Sequence, residues 1–319
     1  MRLRRAFGSL VHESAFRSVA FLATDFFQPE SAHAISIGAD GAGSYASDVP
    51  ALDAISRPDA TTPVIFQTWK SRIAIPENFK HWRQSFVTHN PDWTTLLWDD
   101  DDNHAFIKDR FPWFLARYEA YPREIFRADI VRLFFLFEFG GFYADMDTQC
   151  LQPVAETATA GDVVLCRMGA SKSFSHSLPN AIMASRPAQA FWLYAIGNAI
   201  QAIDDAGSPE AADMLGPEKM TGPELLKQSY DEFVRLQPSE VENAIASVAA
   251  RLTSAQRGRI RYGNVRVLSP HQWYPLDWTN FWHKQICTRL RNRQHVLPDD
   301  TVNRLFPRSV TVTYWNHSW

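Results

Sequence analysis

The chain is poor in cysteine. Its three cysteines, Cys150, Cys166 and Cys287, are an odd number and show no Cys-x-x-Cys spacing. This pattern disfavours both a disulfide framework and a structural zinc site. We therefore expect reduced thiols.

The sequence also lacks a long apolar run. A membrane-spanning helix needs roughly 20 apolar residues, whereas the longest candidate, 130–139, is interrupted by Arg132 and Glu138. The basic N-terminus, Met1-Arg-Leu-Arg-Arg, is followed by an apolar stretch that charged residues break before it could form a signal core. We therefore predict a cytoplasmic protein without a transmembrane segment. Its basic leader forms either an ordinary flanking helix or flexible arm, or a peripheral contact with the inner membrane face.

No excess of one charge sign is present. The formal net charge is −3 and the pI is about 6.4, which disfavours nucleic acid as the principal partner. Eleven tryptophans and an aromatic content of 13% favour a compact globular protein over a disordered one.

The pattern of elements predicts an α/β fold. Residues 1–61 are predicted to be an N-terminal extension, with a short helix around 14–27, and 62–319 to be the organised domain. A strand at 63–69, a helix at 76–88 and a strand at 93–98 alternate as in a doubly wound sheet. We predict further helices at 103–110, 123–139 and 190–203, a helical stretch from Asn180 to Met183, and further strands at 162–166, 261–268 and 309–313.

The most informative segment is an apolar run after Gly140-Gly141 that ends in Asp145 and Asp147. Side chains two apart in a strand point the same way, so we expect the two carboxylates to converge. Two adjacent carboxylates suit Mg²⁺ or Mn²⁺ bound to a diphosphate. The pattern alone is not specific: the aspartate run 99–102 repeats its spacing, carboxylates also cap turns, and with Thr148 the segment fits the nucleophile loop of aspartyl-phosphate phosphatases.

Three other polar positions have two interpretations each. Asp129 and Arg132 lie three apart in an apolar helix, where they can form an intrahelical pair or line the cavity of the aspartates. Asn180 is either an N-cap or a ligand contact. Thr221 and Glu224 have capping-box spacing, which predicts a helix start.

Together these motifs resemble glycosyltransferase family 32, a group of sugar transferases with a DXD motif that includes enzymes of capsular-polysaccharide synthesis. The resemblance covers about 62–319, and the arrangement around the DXD motif is also similar to that of the glucosylating clostridial toxins. The recurring pattern runs through Ile65-Phe66-Gln67-Thr68-Trp69, Asn90-Pro91-Asp92-Trp93, Leu97-Trp98-Asp99-Asp100, Arg127-Ala128-Asp129, Arg132, Gly140-Gly141-Phe142-Tyr143-Ala144-Asp145-Met146-Asp147, Asn180, Thr221-Gly222-Pro223 and Ser318-Trp319.

This resemblance implies a GT-A fold, in which helices flank a Rossmann-like, nucleotide-binding mixed sheet. It implies a hexosyltransferase that uses a nucleotide-sugar, either a UDP-hexose or GDP-mannose, together with Mn²⁺ or Mg²⁺, and that retains the anomeric configuration. The acceptor would be a glycan, a lipid-linked glycan or a protein, as in polysaccharide biosynthesis.

The resemblance also assigns roles to residues. Trp69 would stack on the nucleobase, with Gln67, Tyr143 and Asn180 also in the donor site. Asp129 and Arg132 would bind donor-sugar hydroxyls. Asp145 and Asp147 would bind the metal, which neutralises the leaving diphosphate.

The C-terminal motif departs from the family pattern. Many relatives carry His shortly before the last Trp, where this chain has Thr313-Tyr-Trp-Asn-His-Ser-Trp319. Asn316, His317 or Ser318 could complete the metal shell, or the motif, with Ser318 and Trp319, could instead close over the donor as a lid.

Two alternatives to a glycosyltransferase remain open. One is a non-catalytic nucleotide-sugar or glycan-binding module on the same fold, which the altered C-terminal motif would permit. The other is the aspartyl-phosphate phosphatase, which needs a downstream Lys and a further acidic pair at a strand end. Asp204-Asp205 and Asp299-Asp300 are poorly placed for that pair.

Overall fold

A computed structural model describes residues 63–293 and 298–316 of the chain. The predicted extension over 1–61, with its short helix, lies outside the described residues, as do His317, Ser318 and Trp319. The domain boundary at 61/62 therefore stays a prediction.

The part of the chain that the structure describes contains both strands and helices. The strands are β1 (Val64–Thr68), β2 (Thr94–Trp98), β3 (Gly141–Ala144), β4 (Thr148–Cys150), β5 (Val163–Cys166), β6 (Ile182–Ser185), β7 (Val265–Leu268) and β8 (Thr311–Thr313). The helices are α1 (Glu77–His89), α2 (Asp100–Arg110), α3 (Leu115–Ala120), α4 (Glu124–Glu138), α5 (Ala155–Ala158), α6 (Ala190–Ala206), α7 (Pro209–Leu215), α8 (Pro217–Met220), α9 (Pro223–Phe233), α10 (Pro238–Ala249), α11 (Ser254–Gly258), α12 (Pro270–Trp273), α13 (Phe281–Arg293) and α14 (Asp299–Leu305). Residues 298–307, which carry α14, belong to a separate unit of the chain.

Six strands form one mixed sheet in the order β2-β1-β3-β6-β5-β7. Strand β1 pairs in parallel with β2 and β3, β6 runs antiparallel to both β3 and β5, and β5 pairs in parallel with β7. Strands β4 and β8 form a separate antiparallel pair. The predicted α/β class, with a mixed sheet flanked by helices, is confirmed.

Helix α4 is the centre of the core. Twelve of its fifteen residues are buried, because the sequence is apolar on nearly every face. The Phe135 ring stacks on Phe66 of β1 at 5.2 Å and meets Trp98 of β2 edge to face at 4.7 Å. Such aromatic pairs add specific geometry to the burial of apolar area, so Phe135 fixes the C-terminal part of α4 against β1 and β2.

The aspartate run 99–102 begins a helix. Asp99 is the N-cap of α2, and its carboxylate accepts a hydrogen bond from the Asp102 backbone N–H at 3.2 Å. The Asp102 carboxylate in turn accepts a hydrogen bond from the Asp99 backbone N–H at 3.0 Å, which completes a capping box. The helix therefore begins three residues earlier than predicted, and this second Asp-x-Asp spacing is used for capping.

One prediction of local structure is wrong, and a second is right about the helix start but not about its cap. The segment from Asn180 to Met183 is not helical, because Ile182–Ser185 pairs with β3 and β5 in the centre of the sheet. The helix start predicted near Thr221 is present, since α9 begins at Pro223. Thr221 does not cap it: the N-cap is Gly222 without a side-chain bond, and the Thr221 hydroxyl donates to the Pro217 carbonyl at 3.4 Å. Tertiary pairing outweighs local preference in the first case, and Pro223 in the first turn already suits a helix start in the second.

Two glycines connect α4 to β3. Gly140 and Gly141 have φ of +67° and +89°, in the region that side-chain-bearing residues rarely adopt. A Cβ on Gly141 would lie 2.3 Å from the Val64 carbonyl oxygen of β1. The chain can therefore turn directly from the helix into the middle of the sheet only with glycine there.

Replacing Gly141 by alanine is expected to destabilise the protein by more than about 2 kcal/mol, because backbone strain and a backbone clash act together. Gly258 in α11 is the matched control, since no atom lies within 4 Å of its would-be Cβ. Gly258→Ala should be neutral or stabilising by up to about 1 kcal/mol. Chemical denaturation measures both, and equal midpoints for the two variants would contradict the assignment.

All three cysteines are buried. Burial raises the pKa of the Cys150 and Cys166 thiols to about 12. The thiolate is the reactive form, so we expect these two cysteines to resist a thiol reagent at pH 8 in the native protein and to react in denaturant. Mass spectrometry of the labelled protein checks this, and rapid native labelling of either residue would contradict it.

None of the helices that the structure describes is both long and apolar enough to cross a membrane.

Candidate functional site

A cavity of about 380 Å³ lies where β1 and β3 end. Trp69 follows the last residue of β1 and Asp145 follows the last residue of β3. Because these strands are parallel neighbours, their carboxyl ends meet at one edge of the sheet, where ligands bind in open α/β folds. The cavity is lined by Trp69, Phe79, Arg123, Ile125, Asp129, Arg132, Asp145, Met146, Asp147, His176, Pro179, Asn180, Ala181, Pro217, Glu218, Pro223, Trp278 and Trp315.

The two aspartates of the DXD motif lie in a turn. Strand β3 ends at Ala144, and the Asp145 carbonyl accepts a bond from the Thr148 N–H at 3.1 Å before β4 begins. Both carboxylates are partly exposed and line the cavity, as expected. The reason that we predicted, alternation along a strand, is wrong, because the tight turn is what brings them to the same side.

Each aspartate is held by different partners. The Asp145 carboxylate accepts a hydrogen bond from the Tyr143 hydroxyl at 2.7 Å and lies 3.2 Å from Arg132 Nη1. The Asp147 carboxylate accepts a bond from the Asn316 backbone N–H at 2.5 Å, and its carbonyl accepts one from the Tyr314 N–H at 2.9 Å. The C-terminal segment thus fixes Asp147, while the core fixes Asp145.

Arg132 connects the helix to the DXD turn. Its side chain is 2% exposed, with Nη2 3.0 Å from Asp129 and Nη1 3.2 Å from Asp145. It also donates to the backbone carbonyls of Ala128 and Asn180 at 3.1 and 2.9 Å. Burial of the Arg132 guanidinium opposes its charged form. The pKa of Arg132 nevertheless lies above its ordinary value, because nearby groups favour the charged form, and the carboxylate of Asp145 has the largest effect among them. Both interpretations of the helical pair therefore hold: it is intrahelical, and it lines the cavity.

Asp129 is a buried carboxylate with fixed donors. Burial raises its pKa to about 6, although the charge of Arg132 acts in the opposite direction. Asn180 Nδ2 donates to Asp129 Oδ1 at 2.9 Å. Asp129, Arg132 and Asn180 therefore form one hydrogen-bonded group at the cavity wall, able to orient the hydroxyls of a bound sugar.

The other predicted donor residues lie in different places. The Trp69 ring lines the cavity and packs on Phe79 at 4.6 Å. Tyr143 is buried behind Asp145 and does not line the cavity, and Arg132 lies over its ring at 4.7 Å. Gln67 is buried in β1 and does not line the cavity, and its amide has no hydrogen-bond partner in the part of the chain that the structure describes.

A divalent cation would be held by few protein ligands. Within 63–293 and 298–316, no group of three or more His, Cys, Asp or Glu side chains is arranged to bind a metal ion. Asp145 and Asp147 nevertheless fit Mg²⁺ or Mn²⁺, which are commonly bound by one or two carboxylates plus substrate phosphates and water. Asn316 meets Asp147 through its backbone, and His317 lies outside the described residues.

Sequence reasoning missed part of the cavity wall. It did not single out Arg123, His176, Glu218, Trp278 or Trp315, which come from loops and helix starts. Trp315 has a φ of +54°, rare for a tryptophan. These positions follow no helix or strand periodicity. For the two tryptophans and the histidine, the one available signal was an aromatic residue in a loop rich in turn residues.

A known protein family matches the part of the chain that carries the DXD motif. Residues 76–164, which include Asp129, Arg132, Asp145 and Asp147, match the family model described as the glycosyltransferase sugar-binding region containing a DXD motif. The predicted family resemblance is confirmed over these residues. We refer to residues 76–164 as the DXD region.

Two yeast proteins resemble the chain. Over 101 residues it is 41% identical to inositol phosphoceramide mannosyltransferase 2 of Schizosaccharomyces pombe, covering 32% of this chain and 29% of that protein. Over 98 residues it is 41% identical to mannosyl phosphorylinositol ceramide synthase SUR1 of Saccharomyces cerevisiae, covering 31% and 25%. The chain thus matches less than a third of the length of these relatives.

Among solved structures, the PaToxG glycosyltransferase is similar with a TM-score of 0.40 and 17% identity, over 64% of this chain and 89% of that one. Similarity at this level adds nothing to the fold already described.

Proposed function

We propose that this protein is a metal-dependent, retaining glycosyltransferase of the GT-A type that moves mannose from a nucleotide-sugar, GDP-mannose, to a hydroxylated acceptor. The observation that carries the proposal is the network Asp129–Arg132–Asp145, next to Asp147, in one cavity at the edge of the sheet. The DXD region supports nucleotide-sugar chemistry. The relatives are named as enzymes that transfer mannose, and these names support mannose over another hexose as the donor sugar.

The residues divide the work of donor binding. Asp145 and Asp147 would hold a divalent cation, which when bound supplies positive charge to the leaving diphosphate. Asp129, Arg132 and Asn180 would orient the donor sugar, and Trp69 would contact the nucleobase. Tyr143 acts through Asp145, whose carboxylate it fixes by its hydroxyl bond. Preorganisation of these groups would supply most of the catalysis.

The reaction balances without a protein nucleophile. The bond from the anomeric carbon to the phosphate oxygen breaks, and the nucleoside diphosphate leaves with its electron pair. A bond forms between the acceptor oxygen and the anomeric carbon, and the acceptor proton passes to the departing diphosphate. A phosphate oxygen of the donor can therefore act as the base.

The non-catalytic alternative differs from this proposal only in that the protein would not turn over its donor. It predicts metal-dependent donor binding without transfer or hydrolysis.

The phosphatase alternative is disfavoured by the residues that line the cavity. That mechanism needs a lysine beside the nucleophile, and no lysine lines the cavity in the described residues.

Several features of the proposal rest on sequence alone. We propose 62–319 as the transferase domain of a cytoplasmic protein and 1–61 as an extension, which is either an ordinary flanking helix or flexible arm, or a basic segment in peripheral contact with the inner membrane face. The acceptor, a glycan, a lipid-linked glycan or a protein, is part of the same proposal. The names of the relatives favour an acceptor that carries inositol phosphate.

A donor screen tests the proposed function. Purified full-length protein is incubated with GDP-mannose, UDP-glucose, UDP-galactose and UDP-N-acetylglucosamine, with Mn²⁺ or with a chelator, and release of the nucleoside diphosphate is measured. We expect slow hydrolysis of GDP-mannose that requires the metal. Tight binding without release would support the non-catalytic module, and failure to bind or consume any donor would overturn the proposal.

A further inference from the structure

Three aromatic rings form a cluster at the edge of the cavity, and two of them line it. Each ring contacts the other two. The ring centroids are 5.4 Å apart for Phe174 and His176, 5.6 Å for Phe174 and Trp278, and 5.8 Å for His176 and Trp278. His176 and Trp278 line the cavity and are partly exposed. We call these three residues the aromatic wall. They lie outside the DXD region, and the roles proposed above do not involve them.

Backbone contacts hold the loop that carries Phe174 and His176. The Met168 N–H donates to the Ser177 carbonyl and the Ser177 N–H to the Phe174 carbonyl, both at 3.0 Å. Gly169, with φ of +67°, packs so closely on Asp277 that a Cβ would lie 2.4 Å from its carboxylate. Because Asp277 precedes Trp278, this close approach brings the loop against that tryptophan.

The aromatic wall is connected to the DXD turn through the C-terminal segment. Trp315 Nε1 donates to the Leu276 carbonyl at 2.9 Å, two residues before Trp278. The next residue, Asn316, donates its backbone N–H to the Asp147 carboxylate. The wall therefore lies beside the proposed metal ligand, where an acceptor must approach the donor.

His176 presents a polar atom in this wall. Its Nδ1 lies 3.1 Å from the Ser175 hydroxyl oxygen and 3.7 Å from Glu224, and Ser175 donates to the same Glu224 oxygen at 3.0 Å. Its Nε2 has no hydrogen-bond partner among the residues that the structure describes. A ring with one fixed nitrogen and one available nitrogen is suited to binding a ligand hydroxyl.

We propose that the aromatic wall is the acceptor subsite, and that it binds a hydroxylated six-membered ring, a pyranose or a cyclitol. This inference rests on the proposed function. Such a ring has an apolar C–H face, which can pack on Trp278, and hydroxyls at its edge, which can bond to His176 Nε2. The charges of Glu218 and Glu224 beside the wall disfavour a purely apolar ligand such as an acyl chain.

The test compares two reactions of the same enzyme. Trp278→Ala, Trp278→Phe and His176→Ala are made in the full chain, with Trp282→Ala as the control. Trp282 is 51% exposed and does not line the cavity. Transfer from GDP-mannose to methyl α-mannopyranoside or myo-inositol is measured beside hydrolysis of GDP-mannose, together with GDP affinity in Mn²⁺.

We expect the ratio of transfer to hydrolysis to fall about tenfold or more in the two alanine variants, mainly through KM for the acceptor. Trp278→Phe should recover part of the ratio because it keeps a ring, and Trp282→Ala should match wild type. An unchanged ratio would overturn the proposal. A loss of GDP affinity in Trp278→Ala would also overturn it, because the ring would then serve the nucleotide.

A binding measurement separates this proposal from the proposed function. Saturation-transfer NMR with the same two probes, in the presence of GDP and Mn²⁺, needs no turnover. If the wild type neither hydrolyses nor transfers mannose, the proposed function fails, and the acceptor subsite is judged by this signal. Contact that disappears in Trp278→Ala supports the subsite, and absence of contact in wild type overturns it.

Discussion

Replacing Asp147 by asparagine is expected to lower metal-dependent turnover by about a hundredfold or more, since charge placed at the reacting centre is commonly worth that much. The amide keeps an oxygen that can accept the Asn316 N–H, so the C-terminal segment should stay in place. Asp147→Ala removes both the charge and the acceptor. It should be equally inactive and less stable by about 1 kcal/mol, the usual worth of one hydrogen bond.

The chain contains its own control for this experiment. Asp101 belongs to the second Asp-x-Asp run and is exposed in the first turn of α2, away from the cavity. Asp101→Asn should leave donor hydrolysis and its metal dependence unchanged. Hydrolysis of GDP-mannose across a Mn²⁺ titration measures all three variants. Full activity in Asp147→Asn would refute the assigned metal site, and similar losses in both asparagine variants would point to a general effect of charge.

Replacing Arg132 by alanine is expected to destabilise the fold by about 3–5 kcal/mol and to abolish activity, because breaking a buried ion pair leaves uncompensated charge. Both Asp129 and Asp145 lose their common cation. Arg127, five residues earlier in α4, is the matched control: it pairs with Glu124, which is half exposed, and Arg127→Ala should cost at most about 1 kcal/mol. Denaturant midpoints compare the two variants, and equal losses would contradict the assigned role of Arg132.

The pH dependence and a double variant sharpen that test. Asp129 already has a pKa of about 6 because it is buried, and loss of Arg132 should raise this value further. A carboxyl group whose pKa is raised by folding stabilises the fold at low pH and loses that contribution as pH rises through the folded value. The destabilisation of Arg132→Ala should therefore be larger at pH 8 than at pH 5. Adding Asp129→Asn should recover part of it at pH 8, a non-additive effect expected of residues in contact.

Local signals were enough to predict several elements of the site. Gly140 and Gly141 indicated the turn into β3, and the buried helix before them was evident from its apolar residues. The spacing of Asp129 and Arg132 indicated one helix face, and their ion pair is present. These predictions succeeded because each depends on neighbours in the sequence, where backbone geometry fixes which side chains meet.

Predictions failed where distant segments decide the structure. Ile182–Ser185 is too short to show a clear period, and it is a strand because β3 and β5 lie on either side of it. Thr221 has the spacing of a capping residue, yet its hydroxyl bonds to Pro217. The aromatic wall could not be foreseen, since Phe174 and Trp278 are about a hundred residues apart and meet only in the folded structure.

Residue type and short-range periodicity encode the α/β class, the paired aspartates and the charged pair in the buried helix, and these features were predictable before the structure was known. The tertiary structure decided which groups share the cavity. It placed Arg132 between two carboxylates, left Tyr143 and Gln67 buried outside the cavity lining, and brought Trp278 and Trp315 beside the DXD turn. The physical reason is that packing and strand pairing act between residues far apart in the chain, and no local pattern records those contacts.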